Sequence, residues 1–224
     1  MGKRVAFVLS GCGVKDGTEI HEAVSALIAL DRAGCEVVFT APDVQQTATV
    51  DHTTEKPEKE ARNVLREGAR IARGDIVPLS GLKEEDYDAV LFPGGFGAAL
   101  NLCSFASDGP RCSVNPDVRE LIENARSSGK PIAAMCIAPV ILARTVPGAK
   151  LTIGSDPDTA GAVEKMGAVH VQCPVDDAVV DLEKKIVTTP AYMLAGGPAE
   201  VYAGAERMVE ELNKLLYRVG GGDI

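Results

Sequence analysis

Short runs of β-branched and apolar residues alternate with helical stretches along almost the whole of this chain, and that alternation admits few folds. Parallel strands need a long crossover between them, so repeated βα units of this kind argue for a mostly parallel sheet with helices packed on it. "RVAFVLS" (4–10) reads as the first strand. "EIHEAVSALIALDRAG" follows, with apolar residues at Ile20, Ala23, Val24, Leu27 and Leu30, a helical period closed by Gly34. "EVVFTAPD" is the second strand, and a polar segment then leads into a helix over about 58–73. "DIVPL" and "YDAVLFPGG" are two more short strands, and 115–129 is an amphipathic helix ending at Gly129. "KPIAAMC" lacks alternation, the mark of a strand buried on both faces. A helix from about 138, the strand "KLTIG", a helix over 158–167 and the strand "VHVQCP" come next. "VVDLEKKIVTTP" places two β runs around a polar tip, a hairpin, and a final helix covers 199–216.

No linker, repeat or low-complexity tract divides the chain, so one domain is expected over 1–224, with 218–224 a frayed tail. That length suffices for a sizeable core without metal or disulfide staples. A formal net charge of −9 argues against sequence-independent nucleic-acid binding and against docking on an anionic membrane. The longest apolar run, 131–143, is too short to span a bilayer and contains Pro139. The N-terminal stretch lacks the apolar length and cleavage site of a secretory signal, so a soluble cytoplasmic protein is expected. The six cysteines show neither a Cys-x-x-Cys pair nor zinc spacing with the three histidines. They read as free thiols, with a Cys103–Cys112 bridge across a loop as the alternative.

In open α/β sheets, chemistry gathers at the carboxyl ends of the strands, and three stretches sit there: "SGCGVKDGTEIHE", "PGGFGAALN" and "MCIAP". "GCGVKDG" misses the dinucleotide fingerprint by one residue and reads as a glycine turn. Gly94 and Gly95 remove Cβ atoms where a backbone N–H can approach a ligand oxygen, although a tight loop without ligand fits equally. Cys136 ends a buried strand just before a helix, the position of a nucleophile at a strand-to-helix elbow. Helix N-terminal N–H groups there favour a thiolate; packing in the core is the competing explanation. Glu19, His21 and Glu22 on the first helix are candidate acid–base partners, and His170 is a further imidazole near a strand. His52 lies in a polar segment without an evident role, and Asp176, Asp177 and Asp181 read as turn acids.

Together, "VLSGCGVKDGTEIHEA", "PGGFGAALNL", "MCIAPVIL", "LTIGSDPDTA" and "CPVDDAVVDLEKKIVTTPAYM" closely resemble the ElbB family. These are glyoxalase-like proteins linked by name to isoprenoid biosynthesis, within the PfpI and class I glutamine amidotransferase-like superfamily. The likeness runs over about 3–217. It implies an α/β, flavodoxin-like three-layer sandwich: a mostly parallel sheet, helices on both faces and a small β-hairpin. It also implies Cys136 as nucleophile, Glu22 as the acid facing it, with Glu19 the less favoured occupant, and the N–H groups of Gly95 and Ile137 as oxyanion donors. His170 is held as a further catalytic candidate.

Many PfpI-like members carry a histidine directly after the cysteine; here that place is Ile137, which argues against amidotransferase or protease chemistry. The resemblance therefore implies a glyoxalase acting on a small dicarbonyl substrate, with no cofactor and no metal. A thiol-based redox sensor or binding protein with incidental turnover is the alternative. A homodimer is expected by resemblance.

Overall fold

The computed structural model describes residues 2–217; the expected frayed tail, 218–224, lies outside the described residues. The first strand, β1 (Arg4–Val8), feeds helix α1 (Ile20–Arg32), and the chain returns as β2 (Glu36–Ala41). A small hairpin of β3 (Val50–Asp51) and β4 (Lys56–Pro57) precedes α2 (Val64–Ile71), and β5 (Val77–Pro78) forms the sheet edge. Then come β6 (Ala89–Phe92), the short helices α3 (Phe96–Leu100) and α4 (Phe105–Asp108), α5 (Pro116–Ser127) and β7 (Ile132–Met135). Helix α6 (Pro139–Thr145), β8 (Lys150–Leu151), α7 (Pro157–Lys165) and β9 (Val169–His170) follow. The order closes with β10 (Val179–Asp181), β11 (Ile186–Thr189) and α8 (Pro198–Tyr217).

Seven strands form the central sheet in the order β10-β11-β7-β6-β1-β2-β5, parallel except for the antiparallel β10–β11 hairpin. This is the α/β, flavodoxin-like arrangement that the alternation and the resemblance led us to expect. One hydrophobic cluster fills the face covered by α5, α6 and α7, and a second fills the face covered by α1 and α8. Val5, Phe7, Leu91, Ile132 and Ala133 lose all contact with solvent, and complete burial of such a Val, Leu or Ile contributes about 1.5–3 kcal/mol. β8 and β9 pair with each other as a separate two-stranded sheet outside the central one.

Caps set the helix starts. Asn63 accepts from the Arg66 N–H at 2.9 Å, so α2 begins there rather than near residue 58, where the chain is still leaving the β3–β4 hairpin. Asn115 caps α5 ahead of Pro116, and Asp156 caps α7 ahead of Pro157. The face of α1 also differs from its apolar period. Ala23, Ala26, Ala29 and Leu30 are buried, whereas Ile20, Val24 and Ile28 are each more than 40% exposed. Alanines let the helix approach the sheet and α8 closely, which turns its larger β-branched side chains outward.

Candidate functional site

The sheet changes winding direction between β1 and β6: the chain leaves β1 to cover one face and leaves β6 to cover the other. Such a switch point leaves a crevice beyond the carboxyl ends of the strands. Three turns meet there: residues 10–19 after β1, 93–95 after β6, and the Cys136 turn after β7.

Cys136 is a cysteine at φ +61° between a strand and a helix. A left-handed conformation costs a non-glycine residue about 1–2 kcal/mol, and here the surrounding bonds hold it. Its N–H donates to the Thr189 carbonyl at 3.0 Å, carrying the β7–β11 ladder one residue past Met135. The turn lifts the side chain off the sheet toward α1. There the sulfur meets the N–H groups of Gly95 and Ile137 and the carboxyl of Glu22.

Glu22 is fully buried on the inner face of α1. Its Oε2 accepts from the Gly94 N–H at 3.0 Å and its Oε1 from the Tyr192 N–H at 3.2 Å, and its remaining hydrogen bond goes to Cys136. Burial raises its pKa to about 7, with the Glu19 charge adding to the rise against the hydrogen bonds that favour the carboxylate. Burial likewise pushes the Cys136 thiol well up, and the neighbouring Glu22 pushes it further, while the N–H groups of Gly95 and Ile137 oppose the rise. The shared hydrogen bond lowers Glu22 and raises Cys136, so the thiol donates to the carboxylate, and ionised Glu22 beside a Cys136 thiol is the form that the pair favours once Glu22 has lost its proton.

Gly94 is where backbone meets chemistry. A Cβ built on it would sit 2.4 Å from the Cys136 Cβ, 2.5 Å from Glu22 Oε2 and 3.0 Å from Cys136 Sγ. No side chain fits between Cys136 and Glu22 at this position. Gly95 stands at φ +96°, and a Cβ on it would strike the Glu19 nitrogen and the Gly17 oxygen at 2.4 Å. The "GCGVKDG" stretch is thus a packed turn whose backbone lies against the turn after β6, with Gly97 N–H donating to Gly17 O at 2.9 Å.

Glu19 is the N-cap of α1, its Oε2 accepting from the Glu22 N–H at 2.6 Å. It ends up in a capping role three residues before the acid that touches sulfur. His21 points outward and its Nδ1 lies 2.7 Å from the Tyr192 hydroxyl, at the rim rather than at the cysteine. His170 sits in β9 with Nε2 buried and unpartnered, and no interaction links it to Cys136 or Glu22. Ile137, in the place of a superfamily histidine, packs its side chain against both hydrophobic clusters.

Tyr192 was not singled out from the sequence, although "TTPAYM" lies in the stretch that carries the resemblance. Its backbone N–H reaches Glu22 because Ala191 takes φ +46°, a bend that an alanine does not announce in a sequence. Among the described residues, no three His, Cys, Asp or Glu side chains converge as a metal site, and no helix is long and apolar enough to cross a membrane.

Residues 3–195 match the DJ-1/PfpI family. The mitochondrial ES1 protein homolog of Rattus norvegicus is 47% identical over 222 residues, covering 95% of this chain and 84% of that protein. Human mitochondrial glutamine amidotransferase-like class 1 domain-containing protein 3 is 46% identical, covering 95% of this chain and 83% of that protein. Among solved structures, an isoprenoid biosynthesis protein with an amidotransferase-like domain from Ehrlichia chaffeensis superposes with a TM-score of 0.90 at 34% identity. That match covers 96% of this chain and all of the other. These relatives overturn one expectation: the rat and human proteins are mitochondrial by name, so the location they point to is mitochondrial rather than cytoplasmic.

Proposed function

The chain belongs to the DJ-1/PfpI family, and from that premise we propose that it is a cofactor-independent glyoxalase of the ElbB type, turning glyoxal into glycolate or methylglyoxal into lactate. The observation that carries this reading is the Glu22 carboxyl hydrogen-bonded to Cys136 beneath two backbone N–H donors, with an isoleucine where an imidazole would otherwise stand. The family includes glyoxalase, deglycase and redox-sensing members. The Ehrlichia structure, described as an isoprenoid biosynthesis protein, supports the ElbB assignment.

Glu22 carboxylate takes the thiol proton as the Cys136 sulfur adds to the aldehyde carbon, then passes that proton to the resulting alkoxide, giving a hemithioacetal. Glu22 carboxylate then removes the proton from the former aldehyde carbon, forming an enediolate whose oxygen faces the N–H groups of Gly95 and Ile137. Returning that proton to the neighbouring carbon yields a thioester of a 2-hydroxy acid. Water cleaves the thioester, releasing glycolate or lactate and restoring the thiol. The redox change is internal to the substrate, so no external oxidant or hydride carrier enters. One nucleophile and one carboxyl of pKa about 7 suffice. Cys136 is only 7% exposed, which suits a dicarbonyl of a few atoms and disfavours a peptide chain.

The test is dicarbonyl consumption with the hydroxy acid detected directly, comparing wild type, Cys136→Ala and Glu22→Gln. Direct detection matters because thiols and amine buffers deplete glyoxal without catalysis. Wild-type turnover lost in both variants supports the proposal; a Cys136→Ala protein as active as wild type removes it. If none of the three makes product, the sensor reading takes over, and it requires Cys136 to oxidise ahead of the other cysteines. A homodimer and a mitochondrial setting belong to the same proposal, the latter drawn from the rat and human relatives.

A further inference from the structure

Cys103 and Cys112 take no part in the site above. Around them the chain runs antiparallel: Cys103 bridges Val114, the Ser104 N–H donates to Ser113 O at 2.9 Å, and the Asn115 N–H donates to Leu102 O at 2.9 Å. Between these strands, α4 and the turn Gly109–Arg111 double back, and Cys112 N–H donates to Gly109 O at 3.0 Å. The fold thereby brings the two thiols into a hydrogen bond with each other while leaving both unbridged. No other two thiols interact among the described residues.

We propose that Cys103 and Cys112 are a redox-active dithiol that hydrogen peroxide closes to an intramolecular disulfide. The antiparallel register, in which Cys103 bridges Val114, makes Cys112 the diagonal neighbour of Cys103, and each sulfur leaves only a weak contact on closing: Cys103 Sγ with Ala98 O at 3.3 Å, Cys112 Sγ with Met166 Sδ at 3.9 Å. Both are buried, yet the loop above them is a single layer in which Ala106, Ser107, Asp108, Arg111 and Ser113 are exposed. Roles within the pair follow from their surroundings. The hydrogen bond from Cys103 lowers the Cys112 thiol against its burial and the Asp108 charge, and Arg144, whose Nε donates to Cys112 O at 2.7 Å, sets a cation beside it that adds to the lowering. That same hydrogen bond, with burial, pushes Cys103 up.

Cys112 thiolate therefore attacks one peroxide oxygen, breaking the O–O bond and leaving a sulfenic acid and hydroxide. The Cys103 sulfur then attacks the Cys112 sulfur; the S–O bond breaks, the S–S bond forms, and the thiol proton leaves with the oxygen as water. Two thiols lose two electrons and two protons, and one peroxide becomes two waters. Cys103 Sγ also donates to the Ala98 carbonyl in α3, whose N-cap is Gly95, so closing the bridge removes a contact within one helical turn of the N–H that faces Cys136.

Trypsin cleavage after Arg111 puts the two cysteines on separate peptides, which gives a direct assay on the whole protein. After brief peroxide treatment, a digest under non-reducing conditions is expected to contain the peptide ending at Arg111 joined to the one beginning at Cys112. Dithiothreitol should separate them. In Cys103→Ser, Cys112 should accumulate as a sulfenic acid trapped by dimedone; in Cys112→Ser, Cys103 should stay reduced over the same exposure. The wild-type digest decides by itself if a variant fails to fold. Both thiols still fully alkylatable after peroxide, or either one bridged to a different cysteine, overturns the proposal.

Discussion

Replacing Glu22 by Gln tests the electrostatics of the site without changing its shape. Burial holds the Glu22 carboxyl at about 7 against an ordinary 4.5, so in this interval the folded chain binds a proton that the unfolded chain releases. The sign follows by linkage. An acid whose folded pKa is raised contributes its full stability below about 4.5, loses it as pH climbs toward about 7, and adds no further change above. At about 1.4 kcal/mol per pH unit the wild-type protein should lose about 3 kcal/mol across the interval. Glutamine does not titrate, so its profile should lack that fall. It does lose something else: Gly94 and Tyr192 donate to the two oxygens of the carboxyl group, and an amide offers an oxygen to only one of them. One unsatisfied buried N–H costs about 1–3 kcal/mol. Near pH 4.5 Glu22→Gln should thus be the less stable protein, and near pH 8 the difference should vanish or reverse, by about 3 kcal/mol in total. Urea denaturation at half-unit pH steps reads this directly. Parallel profiles for the two proteins would refute the argument, because they would mean that Glu22 titrates as an exposed carboxylate does.

Three further outcomes follow from the same geometry. Gly94→Ala forces a Cβ to within 2.4 Å of the Cys136 Cβ, and should cost about 1–3 kcal/mol in thermal or urea unfolding as overpacking, while dicarbonyl turnover falls far more than folding does. Glu19→Ala removes the α1 cap and should cost about 0.5–2 kcal/mol yet keep Cys136-dependent turnover; complete loss of turnover in a folded protein would make Glu19 more than a cap. Leu30→Ala on the buried face of α1 should cost about 2–5 kcal/mol, whereas Ile20→Ala on its exposed face should cost less than about 0.5 kcal/mol. A large Ile20 penalty that disappears on dilution would mean that a second copy of the chain covers that face.

The alternation of β runs and helical stretches, read without coordinates, determined an α/β fold with a mostly parallel sheet and the β10–β11 hairpin, because each crossover and each buried strand leaves a local signature. The same local grammar put Cys136 at a strand-to-helix turn and a paired glycine after β6. It misjudged α1. Counting apolar residues pointed to Ile20 and Val24, but the distance between helix and sheet selected the alanines and turned those side chains outward. It also started α2 too early, since the β3–β4 pairing that occupies residues 56–57 is a contact between segments rather than a property of either. Helical period could not separate Glu19 from Glu22; that separation depends on which way α1 is rolled against β6 and β7. The Tyr192 N–H, the Gly94 contact and the Cys103–Cys112 thiol pair are likewise products of chain segments meeting. A sequence records where each residue prefers to bend or bury itself, but the pKa of a buried acid and the reach of a hydrogen bond depend on which distant groups the fold carries to within about 3 Å of it.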